Sequence, residues 1–88
     1  MTYGIIIHPH LDRILVKTRK KNLKRFEMVM KKIEEIVENP DHYKNLRAPL
    51  QHLKRVHVDS SYVLVFHVDV ENRTVTFVDL DHHDNIYL

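Results

Sequence analysis

The stretch from Leu53 to Tyr87 constrains this chain most, because it reads as three consecutive strands and leaves the rest of the sequence to serve as their cover. Val56 and Val58 alternate with Arg55 and His57, the period-two spacing of a half-buried strand with one apolar and one cationic side. Asp59, Ser60 and Ser61 supply turn chemistry, and Tyr62 to Val68 follows as a run apolar on both faces, interrupted only by His67. Such a run belongs in the middle of a sheet. A second turn at Glu71-Asn72 leads into Arg73 to Leu80, and His82, His83, Asp84 and Tyr87 close the stretch. With one glycine in the whole chain, the hairpin turns must be built from Asp, Asn and Ser.

Upstream, the β-branched run in Thr2 to His8 is a short strand that Pro9 stops, since proline removes a ladder donor and suits the first turn of a helix. Leu11, Ile14, Leu15 and Thr18 then recur at helical spacing, predicting a helix from about Pro9 to Lys20. Asn22 breaks it. Leu23, Phe26, Met30, Ile33 and Val37 repeat the spacing and predict a second helix over Leu23 to Glu38. It ends at Asn39-Pro40, where asparagine suits a left-handed residue and proline forbids continuation. Asp41 to Gln51 has no clean period and reads as a loop carrying Arg47.

The order is therefore β-α-α-β-β-β, an α+β fold in which a helical hairpin packs on one face of a mainly antiparallel four-stranded sheet. Ile14, Phe26, Met30, Ile33, Val56, Leu64 and Phe66 are the expected core. The other sheet face is expected to stay open, with Val63 and Val65 offering apolar surface to a partner's strand or helix.

A chain of 88 residues supports one domain, residues 1–88, that removes roughly 60–65% of its unfolded surface from water. Its 43% apolar and 30% charged residues fit a packed soluble fold and argue against disorder. Cysteine is absent, which excludes disulfides and thiolate chemistry and is compatible with a reducing cytoplasm, the expected location. The longest uncharged run, Met1 to Leu11, is far short of the ~20 residues of a spanning helix, so no membrane association is expected.

Net charge is only +2, but the signs are sorted. Arg13 to Lys32 holds nine Lys or Arg against the single acid Glu27, whereas six acids and only Arg73 occupy the last thirty residues. Such a bias is either a solvated helical face or a phosphate-contacting one.

Cleaving RNA without a metal requires a base for the 2′-hydroxyl proton, a cation for the crowded phosphorane and an acid for the leaving oxygen. Lys54, Arg55, His57, His82, His83 and Tyr87, with Arg47 on the loop, contain all three kinds of group on or beside one sheet. His8, His10, His42 and His52 read as solvated surface histidines, and Tyr62, Leu64, Phe66 and Val68 as core rather than a base-stacking platform. His82, His83 and Asp84 offer ligands suited to zinc or manganese. Neighbouring residues on an extended chain point to opposite sides, however, so neither a metal nor another cofactor is expected.

In their order and spacing, Tyr3 to Pro9, Asn39-Pro40, Leu46-Arg47, the RVHV strand at Arg55, the YVLVF strand at Tyr62 and the closing HHDNIY at His82 resemble the RelE/ParE superfamily of type II toxins. The resemblance covers nearly the whole chain. It implies an endoribonuclease that cuts messenger RNA on the ribosome and is neutralised by a RelB-like antitoxin, with no small-molecule cofactor. Carried over, it makes Lys54, Arg55 and His57 the basic residues of the second strand, Arg47 the loop arginine, and His83 the terminal histidine four residues before Tyr87, with His82 the alternative. His57 and His83 would then move protons, Arg55 and Arg47 would hold phosphate, and Lys20, Lys21 and Lys24 would dock RNA. The chain departs from the pattern at Val63, where the family commonly has arginine, and at Ala48 and Asp81, where glycine is common. Those departures keep two alternatives open, a ParE-like toxin that inhibits gyrase by binding and a catalytically silent partner-binding module.

Overall fold

The computed structural model describes residues 2–46 and 52–86. Strand β1 (Gly4–Ile7) runs into helix α1 (Pro9–Lys21), with proline at the first helical position and the His8 ring accepting a hydrogen bond from His10 N at 3.1 Å. Asn22 closes one helix and opens the next. Its N–H donates to Thr18 O, and its side chain accepts from Arg25 N at 3.0 Å, capping α2 (Leu23–Glu38). At the far end Asn39 is extended, with φ −151°, rather than left-handed as the sequence suggests, and Pro40–His42 form a single 3₁₀ turn. Strands β2 (Lys54–His57), β3 (Tyr62–Asp69) and β4 (Thr74–His82) follow, and a one-turn helix α3 (His83–Ile86) ends the described chain.

The sheet order is β1-β4-β3-β2, with β1 parallel to β4 and the other pairs antiparallel. The expected α+β hairpin-on-sheet fold is thus present, and β1 takes the edge beside β4. Between β3 and β4 the pairing passes from Val65–Asp79 to Phe66–Phe77, so Val78 is an extra residue. That bulge precedes Asp79, whose carboxylate meets His10 of α1 at 3.1 Å. In the β3–β4 turn Arg73 takes a left-handed φ of 51°, a position that a chain with one glycine must fill with an ordinary residue.

The main core lies between sheet and helices, with Leu11, Val29, Ile33, Ile36, Leu64, Phe66, Val75 and Phe77 fully buried and the Phe66 and Phe77 rings 5.7 Å apart. Each such side chain contributes about 1.5–3 kcal/mol. The expected core needs one correction, because Met30 is exposed and Ile14, Phe26 and Val56 lie at the margin. The buried stripe of α2 is Val29, Ile33, Ile36 and Val37, so Ile33 and Val37 of the expected line lie on it, whereas Val29 and Ile36 stand in for Leu23, Phe26 and Met30. The expectation of an open apolar face at Val63 and Val65 also fails. Val63 is 0% and Val65 3% exposed, since Leu46, Leu53, Val78 and Ile86 gather over them as a second small cluster.

Candidate nucleic-acid interface and histidine turn

At one end of the sheet, the β2–β3 turn is organised by Asp59. One carboxylate oxygen accepts from Ser61 N and Tyr62 N, both at 2.9 Å, and the other accepts from Arg25 Nε of α2 at 2.9 Å. Burial alone would raise the Asp59 pKa, but the bonds from Arg25, Ser61 and Tyr62 outweigh it and hold the carboxyl below its ordinary value. The Arg25 guanidinium in turn lies 3.8 Å from the centroid of the Tyr62 ring, a close cation–π contact. Tyr62 opposes His82 across the β3–β4 ladder, their rings edge-on at 5.9 Å.

His82 is the last residue of β4, and the chain turns into α3 at His83, whose N–H donates to Ser61 O at 2.8 Å. Because the backbone leaves the strand there, the two imidazoles lie side by side, centroids 4.8 Å apart and tilted by 30°. The extended-chain argument that would point them apart does not hold. Asp84 faces both, with Oδ1 2.9 Å from His83 Nε2 and Oδ2 3.4 Å from His82 Nδ1. Asp81 fastens the turn by accepting from His82 N at 2.7 Å and Asn85 Nδ2 at 3.0 Å.

Beside this turn a cleft of about 580 Å³ is lined by His10, Lys17, Lys21, Arg25, Tyr62, Asp79 and Asp81. Lys20, Lys21 and Lys24 are exposed where α1 meets α2. The first two complement the negative C-terminal end of α1, which is reason enough for a cation there. Lys24 and Arg25 have no such reason. They open α2, whose first turn has no acid, and so put positive charge at the positive end of a helix dipole, a cost of about 0.3–1 kcal/mol per charge. Asp59 offsets it for Arg25.

The remaining expected site residues divide. His57 is exposed near the same end, paired in register with Val63, and Arg55 is half-buried opposite Val65 on that strand face. Lys54 alternates onto the other face, and its ammonium is committed to the loop, donating to Tyr43 O and Asn45 Oδ1, both at 2.9 Å. It is therefore a brace rather than a member of an exposed basic edge. Arg47 and Tyr87 lie outside the described residues. Sequence reasoning missed Arg25, its tie to Asp59 and the ring role of Tyr62, and it read Asp59 only as a turn residue and Asp84 only as a metal ligand. The dipole-opposed charge at the start of α2 was the one local signal that Arg25 needed a partner.

Comparison with known proteins accords with this architecture. The family of ParE toxins of type II toxin-antitoxin systems (parDE) matches residues 8–87. A Methanocaldococcus jannaschii protein designated RelE4 is 60% identical over 85 residues, 97% of this chain and 90% of that protein. Among solved structures, the RelBE2 toxin-antitoxin complex of Mycobacterium tuberculosis aligns at TM-score 0.79 with 21% identity, covering 93% of this chain and 99% of that one. The YoeB/ParE toxin of Agrobacterium tumefaciens aligns at TM-score 0.81 with 8% identity, covering 91% and 98%. The fold, the family match and the close relative together establish that this chain belongs to the RelE/ParE superfamily and is the toxin of a type II toxin-antitoxin system.

Proposed function

We propose that this toxin is an endoribonuclease that cleaves messenger RNA on the ribosome by histidine acid-base chemistry and thereby inhibits translation, and that a RelB-like antitoxin restrains it. The observation that carries the reading is the meeting, at one end of the sheet, of the paired His82 and His83 imidazoles with the Arg25–Tyr62 contact and a cleft lined by Lys17 and Lys21. His83 and His57 are the proton-transfer groups, with His82 the alternative. Arg55 and Arg47 supply permanent cations, Tyr87 stacks or assists, and Lys20, Lys21 and Lys24 dock the RNA. The antitoxin part of the reading is supported by the structural neighbour solved as a toxin-antitoxin complex. Its apolar landing site is the β1 edge, where Ile5 and Ile6 are half-exposed, since Val63 and Val65 are covered.

One observation favours a second reading, gyrase inhibition by binding. Val63, where the superfamily commonly has arginine, is fully buried and adds no cation to the face of His57 and Arg55. Incubating the purified chain with translating ribosomes and mapping message ends separates the two. New ends within translated messages support cleavage, whereas intact messages together with blocked DNA supercoiling by gyrase support the alternative.

A further inference from the structure

We propose that His82, His83 and Asp84 form a binding site for one zinc-type divalent cation. A tetrahedral zinc site with bonds of about 2.0–2.1 Å holds its nitrogen and oxygen ligands about 3.3 Å from one another. His82 Nδ1 lies 3.4 Å from Asp84 Oδ2 and His83 Nε2 lies 2.9 Å from Asp84 Oδ1, both close to that value though on different carboxylate oxygens, and one ligand atom from each residue lies within 4.8 Å of the others. Closing a gap of 4.8 Å to that value takes a movement of about 1.5 Å.

The local hydrogen bonding adds a second reason. Asp84 N–H donates to His82 Nδ1 at 3.2 Å, which marks that nitrogen as carrying its lone pair. Asp84 Oδ2 lies 3.4 Å from the same nitrogen. A cation between the two is held by both, replacing a long hydrogen bond with a metal–nitrogen bond. Two imidazole nitrogens and one carboxylate oxygen select zinc and its neighbours over magnesium or calcium, which prefer all-oxygen sites. The frame is already braced, with the His82 ring against Tyr62, Tyr62 under Arg25, and His83 N on Ser61 O. Side-chain exposures of 39–73% leave room for water at the remaining position.

The consequence rests on the ribonuclease reading, but the site does not. A bound cation occupies the lone pairs that proton transfer needs, so the zinc-loaded toxin is silent and metal removal restores it. The test titrates chelator-treated full chain with zinc chloride alone by calorimetry. One equivalent should bind, and His83→Ala and Asp84→Ala should each weaken binding by at least ~10-fold, since loss of even a supporting residue costs that much. Two other imidazole pairs, His8 with His10 and His52 with His67, have rings 6.5 Å apart, and the first supplies the control, His8→Asn, which preserves a helix-capping side chain and should bind zinc like the parent. Histidine ring resonances followed by NMR should shift at residues 82 and 83, in folded protein. Absence of binding, equal binding by the His83 and Asp84 variants, or loss in His8→Asn alone overturns the site. If the loaded protein cuts messages as fast as the metal-free one, the silencing is overturned. If the metal-free protein cuts none, it is the ribonuclease reading that falls, and the calorimetry still judges the site.

Discussion

The lysine hairpin and the histidine turn adjoin at one end of the sheet, yet they differ in every property that decides what a side chain can do to RNA. Lys20, Lys21 and Lys24 are exposed point charges on flexible stems, and Lys24 opposes its helix dipole. His82 and His83 are half-buried, stacked and held by backbone contacts, and their ring nitrogens can each donate or accept a proton. The difference teaches a division of labour. Mobile point charges suit attraction to a phosphate backbone, and fixed titratable rings suit the proton steps. Arg25 belongs to both regions, because it starts the helix that carries Lys24 and covers the ring that abuts His82.

The strongest way to break this comparison is at the rings. His57→Ala should slow single-turnover cleavage by ~10²–10⁴-fold. Adding His83→Ala should cost far less than a second such factor, because acid and base serve one concerted step. Multiplying effects in rapid-quench assays would separate their roles. Next is the bridge. Asp59→Ala removes the partner of Arg25 and of two backbone N–H groups, and should cost about 1–3 kcal/mol in urea unfolding. A smaller effect on affinity comes from the lysines, where replacing Lys20, Lys21 and Lys24 together should lower the slope of log affinity against log salt by about 2–3 if each meets a phosphate. An unchanged slope would make them a solvated face.

The smallest effect sharpens the role of Asp59. Its folded pKa is depressed, so its stabilisation is fully present above the unfolded carboxylate value of about 3.9 and is lost as pH falls through the lower folded value. The stability gap between the parent and Asp59→Asn should therefore shrink on acidification below about pH 4 and stay flat above about pH 5, measured by urea unfolding at each pH.

Local pattern made the strand and helix order legible, because period two in Arg55 to Val58, the continuous apolar run in Tyr62 to Val68 and helical spacing in Leu11 to Thr18 are properties of short segments. It could not choose the buried stripe of α2. That helix carries apolar residues on a wide arc, and only packing against the sheet selects Val29 and Ile36 over Leu23 and Met30. Nor could it reveal that Leu46, Leu53 and Ile86, distant in sequence, close over Val63 and Val65. At the site, His57 and the closing histidines were legible as residue types. Their side-by-side geometry was not, because it depends on the chain leaving β4 one residue before His83, a boundary secured by the non-local bond to Ser61 O.

The division between chemistry and docking is tested most directly by one measurement, the single-turnover cleavage rate on translating ribosomes at saturating toxin, for His83→Ala and for the Lys20/Lys21/Lys24 triple variant side by side. The account predicts that His83→Ala falls by ~10²–10⁴-fold while its ribosome affinity is kept, and that the triple variant, once saturated, cuts at close to the parental rate. Parental cleavage by His83→Ala, or loss of saturated cleavage in the lysine variant, would contradict it.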